Sequence, residues 1–205
     1  MRVLVLSPYA ETIVQTLTDA GDDWIAMTDP LTAGVAAEWI ISFGYRHIIS
    51  EPYLTLFAHR IININTSLLP WNRGSDPNFW SWFDRTPKGV SVHEIDRGLD
   101  SGPLLAQATV DFGDLENATL ATTHLQLMQG AASLFASAWP DIRVGNLRAT
   151  PQHGGGSYHR TSDKADWWRL LPAGNDTPVT LIERMGGAAA AWAQQQIASH
   201  FKQKE

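Results

Sequence analysis

Residues 60–74 read RIININTSLLPWNRG. An apolar, β-branched run carries two asparagines one residue apart, Asn63 and Asn65, and then breaks at Ser67-Leu68-Leu69-Pro70. The run has the composition of a buried strand. Amides at a strand end have two physical explanations. Asn and Asp bond to nearby backbone and so suit turns. An amide can also donate to a developing oxyanion, although it cannot change protonation state. The spacing by itself leaves both open.

Working outward, residues 2–7 (RVLVLS), 24–28 (WIAMT) and 39–45 (WIISFGY) have the same strand character. Ile13, Val14 and Leu17 predict a helix within residues 10–20. Downstream, residues 89–96 (GVSVHEID) and 102–112 (GPLLAQATVDF) predict two further strands. Leu120, Leu127, Ala131, Leu134 and Ala138 lie on one face of a helix over 119–139, with Asn117 as its cap. Strands alternating with helices predict an α/β fold built on a mainly parallel sheet. Past Pro140 the texture changes: residues 149–168 are polar and glycine-rich around PQHGGGSYHR, and an alanine-rich run from Gly187 predicts a terminal helix. With no internal repeat and no linker, one domain is expected over 1–205, its catalytic core at about 38–140 and the irregular loop and terminal helix at 141–205.

Open α/β sheets bind ligands beyond the carboxyl ends of their strands. That singles out the loops after Gly44, Ile64 and Ile95, each with polar groups directly past an apolar run. The last contains Asp96, Arg97 and Asp100; a carboxylate there can act as a general base or orient a proton relay. An amide donor with a carboxylate nearby suits acyl transfer to an amine.

Composition excludes several alternatives. A net charge of −6 argues against nucleic acid as the main partner. The absence of cysteine removes disulfides, thiolate–zinc sites and a cysteine nucleophile. The seven histidines show no ligand spacing, so no metal is expected, and His93, beside Val92 in a strand, reads as a satisfied core histidine. No leader-like or membrane-length apolar run is present, so a cytoplasmic protein without membrane attachment is expected.

NINTSLLPWNRG (63–74) followed by SVHEIDRGLDSGPLLAQ (91–107) resembles the signature of the folate-dependent formyltransferases, Asn-x-His-x-Ser-Leu-Leu-Pro and then a Leu-Asp-x-Gly turn. The resemblance runs from about residue 38 to 107 and more loosely through the following helix. It implies a Rossmann-like twisted sheet flanked by helices, 10-formyltetrahydrofolate as formyl donor, and transfer to an amine. The short chain leaves 62 residues before Asn63, so a reduced N-terminal half of the sheet is expected. LPWNRGSDPNFW and TPKGV further resemble short members that modify amino sugars.

Carried over residue by residue, Asn63 matches the family's catalytic asparagine and Asp100 its catalytic aspartate. Asn65 occupies the position of the catalytic histidine, which removes the group suited to proton transfer near neutral pH. An engineered or natural inactive variant, a folate- or sugar-binding relic, and a hydrolase releasing formate from the folate are therefore the competing readings. The resemblance implies pterin contacts from the backbone of His47, Ile48 and Ile49 and of Glu94, Ile95, Asp96, Arg97 and Gly98. Acceptor contacts are expected from Ser67, Trp71, Arg73, His159 and Arg160. Residues 7–12 (SPYAET) lack the glycine-rich phosphate loop of members acting on a glycinamide ribonucleotide. The acidic chain also lacks the basic second domain of those acting on initiator tRNA. A nucleotide-linked amino sugar is the acceptor that remains, and a homodimer is left open.

Overall fold

A computed structural model describes residues 1–32 and 34–202, with side chains described to residue 190. In chain order the elements are β1 (Arg2–Leu6), α1 (Val14–Asp19), β2 (Asp23–Met27), β3 (Trp39–Phe43), α2 (Glu51–Leu56), β4 (Ile61–Asn65) and β5 (Arg73–Gly74). There follow α3 (Pro77–Phe83), β6 (Gly89–Glu94), β7 (Leu104–Thr109), α4 (Leu120–Ile142), β8 (Tyr158–His159), α5 (Ala165–Trp168) and α6 (Val179–Lys202). Six strands form one sheet in the order β2-β1-β3-β4-β6-β7.

The first four strands of that order pair in parallel, as expected. β6 pairs antiparallel with both β4 and β7, so the sheet is mixed. The chain between β6 and β7 is too short for the crossover that parallel neighbours require, and it closes as a hairpin. This corrects the expected geometry of one loop. Because β6 runs against β4, the segment after Ile95 leaves from the opposite end of the sheet to the loops after β3 and β4.

Alternation divides the sheet into two chemically different faces. Val3, Val5, Ile41, Ile64, Val90 and Val92 enter the larger core, against α1 and α4. Leu4, Leu6, Ile40 and Ile61 point the other way and pack with Ile49 and Phe57 in a smaller core. Along that second face the apolar residues give way to Ser42, Asn63, Asn65, Ser91 and His93, all buried or nearly so. Register aligns them: Ser42 lies opposite Asn63, Asn63 opposite His93, and Asn65 opposite Ser91.

α4 is capped by Thr119, not Asn117: the Thr119 hydroxyl accepts the Thr122 N–H, and the Thr122 hydroxyl accepts the Thr119 N–H. That reciprocal pair needs an extended Ncap residue directly before the first turn, a position Asn117 does not hold. The helix also runs past Pro140 to Ile142, with the proline in its last turn. Its last turn is tied down by Asp22, which accepts from Trp139 Nε1 at 2.9 Å and from Arg143 at 2.5 Å. α6 starts at Val179, earlier than the alanine-rich run. It approaches α3 at Gly186, where an added Cβ would stand 1.8 Å from the Phe83 carbonyl oxygen. Among the described residues no helix is long and apolar enough to cross a membrane.

Candidate active site

A cavity of about 570 Å³ opens on the polar half of the second face, a volume suited to a small-molecule ligand. Its floor includes Ser42, Asn63 and His93; its walls are the loop after β3 and the β6–β7 hairpin loop. Position on the sheet explains the floor. Asn63 and His93 face each other across the antiparallel pair β4–β6, so two rigid strands hold their side chains together.

Hydrogen bonding fixes how they are poised. His93 Nδ1 lies 2.8 Å from the Glu94 carbonyl, which can only accept, so Nδ1 carries the proton. Nε2 therefore presents a lone pair, and Asn63 Nδ2 donates to it at 3.2 Å. Asp100 Oδ1 stands 3.7 Å from the same nitrogen, too far for a hydrogen bond but close enough to favour a positive ring. Burial holds the His93 pKa below its ordinary value and outweighs the carboxylate of Asp100, the Glu94 hydrogen bond and Asp96, which pull the other way; Arg73 adds to the depression. At neutral pH the ring is thus a neutral base with its lone pair at the cavity floor. Asp100 is itself held by the Gly74 N–H, which donates to Oδ2 at 2.8 Å.

Asn63 and Asp100 both border the cavity, and Asn65 lies beside Asn63 on the same sheet face. Asn65 is two residues farther along the same face, and its Oδ1 accepts from the Ser67 hydroxyl at 3.3 Å. It does not border the cavity. The imidazole on the cavity floor is that of His93, which is 2% exposed and fully hydrogen-bonded, as a core histidine would be. The local signal was weak, because the polar partner lies thirty positions away. Only the cross-strand register connects the two.

Of the expected pterin contacts, His47, Ile48, Ile49, Ile95, Asp96, Arg97 and Gly98 all border the cavity. Glu94 does not; its carboxylate turns to His59 at 3.0 Å and borders a smaller adjoining depression. Asp96 shapes the hairpin by accepting from the Gly98 N–H at 3.0 Å and the Ser101 hydroxyl at 2.8 Å. Arg97 makes a two-bond contact with Glu51 across the mouth, at 2.9 and 2.7 Å. Tyr45, Arg46, Ser50, Leu54 and Leu99 also border the cavity. Loop residues of ordinary type gave no motif from which to identify them.

The five residues expected at the acceptor do not border this cavity. Ser67 is buried, its carbonyl accepting from Ser91 at 2.8 Å, so it serves the turn. His159 stacks on Trp80 with ring centroids 3.8 Å apart and bonds Asp84 at 2.7 Å, which commits both its face and its Nε2 internally. Trp71 is half-buried and Arg160 exposed. Arg73 points both Nε and Nη2 at the Gln152 side-chain oxygen, at 3.1 and 2.6 Å, with no carboxylate within ion-pair distance among the described residues. The glycine-rich segment is packed rather than loose. β8 pairs with β5, Ser157 Oγ accepts the Asn72 N–H at 2.8 Å, and a Cβ on Gly156 would stand 2.3 Å from the Pro70 carbonyl oxygen.

Comparison with known proteins gives this geometry a family. The formyl transferase model matches residues 25–129, just over half of the chain. The formyltransferase PseJ from Anoxybacillus kamchatkensis, crystallised with UDP-4,6-dideoxy-4-formamido-L-AltNAc and tetrahydrofolate, is 41% identical. The alignment covers 90% of this chain and 100% of that one, with a TM-score of 0.84. Two more distant structures share the fold. A sugar N-formyltransferase from a Shewanella species is 19% identical, with a TM-score of 0.69 over 91% of this chain and 86% of that one. The N-formyltransferase from Helicobacter canadensis, in complex with folinic acid and dTDP-3-aminofucose, is 14% identical, with a TM-score of 0.64 over 79% of this chain and 71% of that one. The extent of the family match and the near-complete overlap with PseJ lead to one conclusion: this chain belongs to the folate-dependent formyltransferase family.

Proposed function

We propose that the chain transfers a formyl group from 10-formyltetrahydrofolate to the amine of a nucleotide-linked amino sugar, with Asn63, His93 and Asp100 as the reacting set. One observation carries the proposal: a neutral histidine, an amide donor and a carboxylate converge on the floor of one cavity. The nucleotide-sugar product bound to PseJ supports the acceptor class. The cavity has the volume of a small-molecule site, and the walls offer both apolar side chains (Ile48, Ile49, Ile95) and hairpin backbone for a flat heterocycle.

Transfer makes one carbon–nitrogen bond to the acceptor and breaks one to the folate nitrogen. Once Asn63 turns its amide N–H from His93 Nε2 to the formyl oxygen, the freed lone pair takes the proton lost by the attacking amine, and the same nitrogen returns it to the departing one. Asn63 donates its amide N–H to the formyl oxygen as charge develops there. Asp100 offsets the positive charge that His93 carries between the two proton transfers. Asn65, bonded to the Ser67 hydroxyl, is given no role in this scheme.

A single-turnover reaction with 10-formyltetrahydrofolate and UDP- or dTDP-linked amino sugars, followed by mass spectrometry, tests the proposal. N-formyl sugar is the expected product. Formate release without formylated sugar would replace it with the hydrolase reading, and folate binding without either product would leave a binding protein.

A further inference from the structure

We infer that Gln152, on the segment after α4, is a positioning residue that holds Asp100 in place beside His93. The inference rests on the reacting set proposed above. The Gln152 carboxamide is used on every side. Its nitrogen donates to the carbonyl oxygens of Asp100 and Gly102, each at 2.8 Å, and its oxygen accepts both Arg73 bonds. The two carbonyls flank the turn that carries the Asp100 carboxylate.

Asp100 needs such a restraint. Its φ is +53°, in the left-handed region that aspartate enters more readily than most non-glycine residues but at a cost its surroundings offset. Two anchors do so, both rooted in β5. Gly74 donates directly to the carboxylate, and Arg73 reaches the backbone of the same turn through Gln152. Thr150 delivers Gln152 to the spot by pairing with Leu104 at the base of the hairpin, through bonds of 2.7 and 2.8 Å. The glycine-rich segment therefore acts as a strap across the hairpin, tied at Thr150, Gln152, Ser157 and β8.

The chemistry of this position demands glutamine. A glutamate keeps the acceptor for Arg73 but turns an anionic oxygen toward two carbonyl oxygens, so it breaks the link to Asp100 alone. A methionine keeps the approximate shape and breaks both links. The test compares the full-length chain with Gln152→Glu, Gln152→Met and Asp100→Asn, using single-turnover rates and NMR titration of the His93 ring. In both Gln152 variants the formyl-transfer rate is expected to fall about 10²-fold, with KM for the formyl-folate unchanged. In Gln152→Met, which adds no charge, the His93 titration is expected to move down toward that of Asp100→Asn. The glutamate decides through the rate and the methionine through the titration: an unaltered rate in Gln152→Glu, where Arg73 is still satisfied, or an unaltered His93 titration in Gln152→Met, which adds no charge, would overturn the inference. The ring titration is read in folded protein, so lost stability does not imitate the result. If the unaltered chain itself yields no formylated sugar, the proposed function fails while the titration still decides the role of Gln152.

Discussion

At the scale of single residues, the proposed reacting set takes its imidazole from His93, across the sheet from Asn63. The family signature places a histidine two positions after Asn63, where this chain has Asn65; His93 offers a ring from directly across the sheet. His93→Gln is expected to lower the single-turnover rate by ~10²–10⁴-fold, the usual worth of a positioned acid–base group. Asn65→His is expected to bring no gain, since position 65 sits under the Ser67 turn and does not border the cavity. A rate increase in that variant would show that the ring belongs at position 65. The pH profile adds a separate check. Burial favours the neutral ring, so the acid limb of kcat/KM should lie below the ordinary histidine value, and Asp100→Asn should move it lower still. An acid limb at or above the ordinary value would contradict the reading of His93 as the base.

At the scale of elements, two contacts set the scaffold around the site. The antiparallel turn of β6 brings His93 opposite Asn63, and the β6–β7 hairpin then folds Asp100 back over the same face. α6 supports α3 from outside through Gly186, whose missing side chain lets the helix meet the Phe83 carbonyl. Gly186→Ala must push the helices apart, because the obstructing atom is backbone and cannot rotate away. A loss of ~1–3 kcal/mol in urea-unfolding stability is expected, as for other overpacked contacts. A variant as stable as the parent would mean that α6 shifts freely on α3. The cap of α4 shows the limit of local reading: Asn117 and Thr119 are both good caps by type, and only the reciprocal bonds with Thr122 choose between them.

For the whole molecule, the buried ring ties stability to pH. The native state resists protonating His93, whereas the unfolded chain takes up a proton at the ordinary value of about 6.5. Its contribution is therefore complete above that pH and is lost as the pH falls from about 6.5 toward the lower native pKa. Chemical-denaturation curves across this window should show stability falling with acidification, with a smaller slope in His93→Gln. Equal slopes in the two proteins would show that the ring is accessible to protons in the folded state.

The sequence by itself determined the α/β alternation, the parallel strands, the amphipathic α4 and the two separated motifs that contain Asn63 and Asp100, because periodicity and short-range turn chemistry are local properties of the chain. The residues that the family resemblance implied for the pterin, His47–Ile49 and most of Glu94–Gly98, border the cavity. Tertiary structure alone decided the reversal of β6, and with it the meeting of His93 and Asn63, because strand register joins residues thirty apart and leaves no mark on the residues between. It likewise decided that His159 is committed to Trp80 and Asp84, and that Gln152 reaches Asp100. A side chain's type says what it can bond to. Which partner it finds depends on where the fold carries it.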